Sequence, residues 1–173
     1  MGVVWRLLPA GIADTLPLCR WPDAAEERGA PEAWLTAASI WELAAYLRAT
    51  GAVYDASKPR MPSPRRRFPE LSRHEIQALW EGSPPPGVSG DRVREFYDAE
   101  IAAARTRPSC PGVPSFKLFD NGPPWHVTAT ECADLLRATA DPDPASEDAG
   151  RSTWLELVGL VEQGAASDGL ITS

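Results

Sequence analysis

The stretch DNGPPWHVTATEC, residues 120–132, combines the signals of a turn, a short strand and the start of a helix. Asn and Gly tolerate the positive φ angles of tight turns, so its first residues favour a chain reversal. The apolar and aromatic segment 125–127 is typical of a strand. Thr128 and Glu131 have the spacing of a capping box, which predicts that a helix begins here. A strand that leads directly into a helix indicates an α+β arrangement.

Strands are predicted at both ends of the chain, with helices between them. Alternating apolar residues in GVVWRLL, 2–8, predict a first strand, and GLITS, 169–173, predicts a closing one. Residues 115–119 are predicted to pair with residues 125–127 as a hairpin. Strand and helix do not alternate regularly, so the fold class is α+β: one domain, 1–173, with about five helices on a small, mainly antiparallel sheet.

Apolar spacing and terminal signals predict the five helices. The widest apolar stripe is in residues 31–51, between Pro31 and Gly51, and this helix is expected at the centre of the core. The others span residues 72–80, which start with a Ser72–Glu75 capping box, 91–105, 128–136, and the segment after a Thr153–Glu156 cap. Four tryptophans are expected on buried helix faces: Trp34, Trp41, Trp80 and Trp154.

Three segments rich in Pro, Gly or charge are predicted as flexible loops: residues 55–69, 82–90 and 140–151. The first of them carries Arg65, Arg66 and Arg67, which are the candidates for holding an anionic group. The alternative is that this loop is solvated or pairs with the acidic C-terminal segment. Because the net charge is −7 and the pI is about 4.9, nucleic acid is not the expected partner.

Length and composition point to a cytoplasmic globular domain. A chain of 173 residues has the size of one domain, at roughly 100–200 residues per domain. No apolar run approaches the roughly 20 residues of a membrane span, and the N-terminal segment lacks the charge order of a signal peptide. Three widely spaced cysteines fit reduced thiols in a reducing compartment.

His126 is the residue of the opening stretch that neither a turn nor a cap explains, so it is the candidate acid or base. Cys110, in a loop downstream of arginines, is the candidate nucleophile, and it would need to meet His126 in space. Trp21 and Trp125 are predicted at loop or edge positions, where they could line a ligand site. Neither a metal site nor a cofactor is predicted, because closely spaced ligand pairs and Gly-rich phosphate loops are absent.

The segments WHVTATECADLL and STWLELVGLVEQGAASDGL resemble small uncharacterised proteins of high-GC bacteria. Those proteins share a Trp-x-Val-Thr-x-x-Glu-Cys corner and an amphipathic helix that ends in Gly. MGVVWRLL and AWLTAASIWELAAYLRATG are more weakly similar to the start of the YfbM-like family, from which the Arg- and Pro-rich loop at 58–69 departs. The resemblance implies an α+β fold and assigns no catalytic residue.

We therefore expect a small cytosolic protein that acts by binding a partner, foremost another protein, in an accessory, regulatory or immunity-type role. The alternative is a small cofactor-independent enzyme of a specialised biosynthetic pathway. In that enzyme His126 would be the acid or base and an arginine of 65–67 would hold an anionic group. A small-molecule ligand is compatible with either function.

Overall fold

The computed structural model describes residues 2–12, 16–107, 110–120, 122–141 and 148–173. Its strands are β1 (Gly2–Leu7), β2 (Glu32–Thr36), β3 (Val53–Tyr54), β4 (Val113–Pro114), β5 (Trp125–Val127) and β6 (Leu170–Thr172). Its helices are α1 (Trp21–Glu27), α2 (Ala37–Ala49), α3 (Pro64–Arg67), α4 (Arg73–Trp80), α5 (Gly90–Arg105), α6 (Ser115–Phe119), α7 (Ala129–Thr139) and α8 (Asp148–Ala165).

A four-stranded antiparallel sheet, in the order β2-β1-β6-β5, organises the fold. A separate parallel pair joins β3 and β4. The predicted α+β class and the mainly antiparallel sheet are confirmed. The described part of the chain holds eight helices instead of about five. The three unpredicted ones, α1, α3 and α6, have seven residues or fewer, which is too short for an apolar period to show.

The predicted hairpin between residues 115–119 and 125–127 is wrong. Residues 115–119 form helix α6, and the strand partner of β5 is β6, with His126 opposite Ile171. Helix α6 is held against the sheet by its own carbonyl groups. The Trp5 indole donates to Leu118 O at 2.9 Å, and the Thr172 hydroxyl donates to Lys117 O. These long-range bonds outweigh the strand propensity of the segment.

The predicted helix at 31–51 is in fact a strand followed by a helix. Residues 32–36 pair with β1 as β2, and the Thr36 hydroxyl then caps α2 by accepting from Ser39 N at 3.2 Å. The helix ends just before Gly51, whose φ is +73°. Trp34 on the strand is 68% exposed and Trp41 on the helix is 78% exposed, so the prediction that both lie in the core is wrong.

Helices cover both faces of the sheet. Helices α2, α7 and α8 pack on one face, where the core includes Val3, Trp5 and Leu170. Helices α1 and α5 pack on the other face against Ile171. A smaller apolar cluster joins α3, α4 and α5. As predicted, Trp154 is buried, but Trp80 at the end of α4 is 47% exposed.

The capping boxes Ser72–Glu75 and Thr128–Glu131 are both confirmed. Glu131 has a second role, because its two carboxylate oxygens each lie 2.8 Å from Lys117 Nζ. Both side chains are completely buried. Burial lowers the pKa of the Lys117 ammonium, and the Glu131 carboxylate opposes that shift. A buried ion pair thus joins α6 to the first turn of α7.

The last helix, α8, begins at Asp148, so the predicted start at Thr153 is wrong. Residues 142–147, within the predicted loop at 140–151, lie outside the described residues. Among the helices described, none is long and apolar enough to cross a membrane.

Two glycines of α8 are expected to respond oppositely to alanine. A Cβ on Gly150 would lie 2.7 Å from Tyr46 Cβ and closer still to the Glu42 carbonyl oxygen, whereas a Cβ on Gly159 would meet open space. We expect Gly150→Ala to cost about 1–3 kcal/mol of unfolding free energy through overpacking against α2. Gly159→Ala should gain up to about 1 kcal/mol from helix propensity. Urea denaturation of the two variants tests this, and equal effects would contradict the close helix crossing.

Candidate functional site

His126 lies inside the protein, on the face of β5 that α1 and α5 cover, and it is 4% exposed. Its Nδ1 accepts from Arg105 Nε at 3.1 Å, and its Nε2 donates to Asp168 O at 2.6 Å. The Trp21 ring meets it edge-on at 5.4 Å. Burial lowers the pKa of the imidazole to about 4. His126 therefore has a structural role as a neutral, fully bonded side chain, and its predicted acid or base role stays a prediction.

Cys110 is exposed, and the structure does not bring it to His126, whose bonding partners are Arg105 and Asp168. It lies instead near Tyr54. Burial, together with the charge of Cys110, raises the pKa of the Tyr54 phenol. The predicted Cys-His pair is thus not assembled in the described part of the chain.

The three candidate arginines, Arg65, Arg66 and Arg67, lie exposed on the short helix α3. Arg67 pairs with Glu95 of α5. An acidic residue of the chain therefore already pairs with one of them, but this residue is on α5 and not in the acidic C-terminal segment that the alternative for this loop named. An anion-binding role for these residues stays a prediction.

Trp21 and Trp125 are both completely buried. Trp21 lies in a helix and not in a loop, whereas Trp125 lies on β5, an edge strand of the sheet, as predicted. That either lines a ligand site stays a prediction. Trp21 begins α1 and donates from its indole to Leu16 O at 3.0 Å. Trp125 is in β5, where its indole donates to Asp120 Oδ2 at 3.2 Å. Both rings are closed to solvent in this structure.

The site that the structure does form is a concave pocket of about 870 Å³ beside the middle of α5. We call it the Glu100 pocket, after the one acidic residue in its described lining. Most of its wall is apolar or proline. It is lined by Leu18, Cys19, Lys58, Pro59, Arg60, Met61, Pro62, Trp80, Glu100, Pro123 and Pro124.

Two loop segments are fastened together to form one wall of the pocket. Lys58 forms an ion pair with Asp120, and its ammonium lies 5.6 Å from the centre of the Trp125 ring. These contacts hold the segment 58–62 against Asp120 and Trp125. The four prolines in the lining restrict the backbone further, because each fixes its own φ angle. The wall is therefore preformed.

Glu100 is the unusual group in this pocket. Its side chain comes from the buried face of α5 and is 7% exposed. Its Oε2 is completely buried and has no hydrogen-bond partner among the described residues. Burial raises the pKa of the carboxyl to about 7. Since buried polar groups are nearly always bonded, this carboxyl is an exception that calls for an explanation.

Cys19 shares the pocket with Glu100 and stays a thiol. Burial, and next the charge of Glu100, raises the pKa of the Cys19 thiol to about 11. A thiolate is the nucleophilic form of cysteine, so this environment disfavours nucleophilic chemistry at Cys19. The side chain acts as a weakly polar part of the wall.

Sequence reasoning missed Glu100, although the sequence contains a signal for it. The helix at 91–105 is predicted from its apolar residues, which include Phe96 and Ala104. Glu100 lies four residues after Phe96 and four before Ala104, which is the spacing of one helix face. A carboxyl on that spacing is placed in the buried stripe, where charged residues are rarely found.

A second groove, of about 1220 Å³, lies along another side of α5 beside Pro84–Pro86. It is larger, but two of its charged lining residues, Arg94 and Asp98, are exposed to water, and the third, the half-buried Arg105, already donates to His126. Among the described residues, no group of three or more His, Cys, Asp or Glu could hold a metal ion. The Glu100 pocket is therefore the stronger candidate site.

Comparison of the chain with models of protein families, with curated proteins and with solved structures finds no match. The resemblance to the YfbM-like family therefore stays a prediction.

Proposed function

We propose that this chain binds a largely apolar organic small molecule in the Glu100 pocket. The observation that carries the proposal is the buried Glu100 carboxyl, which has no protein partner in the described structure and lines a preformed apolar pocket. Ligand sites are typically apolar clefts of about 300–1,000 Å³ with few polar groups that fix orientation. A hydrogen-bond donor on the bound molecule would satisfy the carboxyl.

The energetic argument favours a ligand over a purely structural role. Leaving a buried polar group unbonded costs about 1–3 kcal/mol. An apolar side chain in place of Glu100 would avoid that cost, and the neighbouring positions Phe96 and Ala104 are apolar. A carboxyl at this place destabilises the free protein and becomes useful when a ligand donates to it.

The pocket can be monitored directly, because Met61 lines it and the chain has only two methionines. We expect alkyl-aryl fragments to shift the ¹³C-methyl NMR signal of Met61 saturably, with Kd values from about 10 µM to 1 mM for molecules of this size. Substituting Met61 by Leu in a separate sample assigns the signal.

A pair of matched variants locates the binding. Pro123→Trp adds bulk to the pocket wall and should abolish the fragment-induced shift. Pro86→Trp makes the same change in the second groove and should leave the fragment-induced shift of the Met61 signal intact. The proposal fails if no fragment shifts the Met61 signal, or if the shift persists in Pro123→Trp.

The predicted action on a protein partner is a second candidate, favoured by the exposure of Trp34 and Trp41. Large apolar side chains on a surface are the groups that partner proteins commonly cover. Cross-links to a partner that survive unchanged in a Trp34→Ser/Trp41→Ser variant would contradict it.

The enzyme alternative stays a prediction. Within it, Glu100 and not His126 has a pKa suited to proton transfer near neutral pH.

A further inference from the structure

We infer that the molecule bound in the Glu100 pocket carries a basic nitrogen, whose N–H groups donate to the Glu100 carboxylate. The inference rests on the proposed function and adds the chemical class of the ligand. It starts from the unbonded Oε2 of Glu100 and from the charges that surround the pocket.

No cation of the described chain neutralises Glu100. Lys58 is engaged by Asp120, and Arg60 is exposed. Among the described residues that line the pocket, Glu100 is also the only acid. A buried charge is stable in proteins when it is paired and hydrogen-bonded. The pocket is therefore arranged like one half of an ion pair.

An ammonium completes that pair better than the other donors a ligand could offer. It supplies up to three N–H groups and a full positive charge, and charge-assisted hydrogen bonds are roughly twice as strong as neutral ones. A hydroxyl or amide supplies one bond and leaves the charge of Glu100 uncompensated. A ligand carboxylate either adds a second negative charge beside ionised Glu100 or requires Glu100 to be protonated.

Lys58 and Arg60 do not reverse this preference. The Lys58 side chain is 43% exposed and is already paired, and Arg60 is exposed to water. Water and salt screen exposed charges strongly, whereas a buried charge acts through a lower effective dielectric. Glu100 is the buried charge, so it governs the inner part of the pocket.

The remaining walls fit an apolar body attached to the nitrogen. Leu18 and Met61 offer aliphatic surface. Trp80, a residue that is 47% exposed, offers an aromatic ring. An aromatic ring also attracts cations over its face. The ligand class is accordingly a hydrophobic amine.

Three isosteric probes separate the alternatives: 4-phenylbutylamine, 4-phenylbutan-1-ol and 4-phenylbutanoate. Titrations followed by the Met61 methyl signal at about pH 8 keep the amine protonated and Glu100 mostly ionised. We expect the amine to bind about tenfold or more tighter than the alcohol, and the carboxylate to bind most weakly.

Glu100→Gln keeps the shape and removes the charge. It should weaken amine binding about tenfold or more and change alcohol binding by less than about threefold. Glu162→Gln, an exposed change on α8, should affect neither. If the alcohol or carboxylate shifts Met61 with an affinity equal to or greater than that of the amine, the inference is wrong while the proposed pocket stands. If none of the three shifts Met61, both are wrong.

Discussion

Lys117→Met is expected to lower the free energy of unfolding by about 3–5 kcal/mol, because it leaves the Glu131 carboxylate buried without a cation. The carboxylate would keep its capping bonds from Thr128 N and Thr128 Oγ1, at 2.9 and 3.1 Å. Those bonds do not neutralise a charge that is completely buried. Urea denaturation at neutral pH measures the loss.

The chain's other lysine provides the matched control. Lys58 also pairs with a carboxylate, that of Asp120, but its side chain is 43% exposed, so Lys58→Met should cost no more than about 1 kcal/mol. Adding Glu131→Gln to Lys117→Met removes the stranded charge and should restore part of the stability. A loss for Lys117→Met as small as that for Lys58→Met would show that the buried pair contributes nothing.

The second large effect is a pH-dependent loss of folding stability caused by Glu100. Its pKa is about 7 in the folded protein, above the ordinary value of 4.5. The folded state therefore holds this proton more tightly than the unfolded state. The stability that the neutral carboxyl contributes is present below pH 4.5 and is lost as the pH rises through about 7. At about 1.4 kcal/mol per pKa unit, the penalty at alkaline pH is about 3 kcal/mol.

Glu100→Gln removes this titration and leaves the other acids unchanged. The difference in stability between the variant and the parent chain therefore reports Glu100 alone. We expect the variant to gain stability relative to the parent chain between pH 4.5 and 8, with most of the gain complete by pH 8. Chemical denaturation at several pH values measures the difference, and Glu162→Gln, on the surface of α8, should show no such trend. A constant difference across the range would show that Glu100 does not titrate near neutrality.

Local signals predicted the parts of the fold that local chemistry determines. The Ser72–Glu75 and Thr128–Glu131 boxes begin helices where expected, because capping involves four neighbouring residues. The strands at both ends were also predicted, since they contain β-branched or aromatic residues such as Val3, Trp5 and Ile171.

Tertiary pairing decided the parts that sequence reasoning missed. Residues 32–36 have an apolar spacing compatible with a helix, and only the adjacent β1 makes them a strand. That pairing turns Trp34 outward. Glu100 was missed for a related reason, because its unusual character lies in what surrounds it and in the absence of a described bonding partner.

The central position of β6 has a consequence for how the chain is made. Residues 170–172 lie between β1 and β5, so the strand formed by residues 2–7 cannot complete its pairing until more than a hundred and fifty further residues have left the ribosome. Until then, the pair of β1 and β2 would leave the edge of β1 at Trp5–Leu7 without its partner strand. Contacts of such long sequence separation slow folding. The nascent chain is therefore expected to need protection from aggregation until synthesis has passed residue 172.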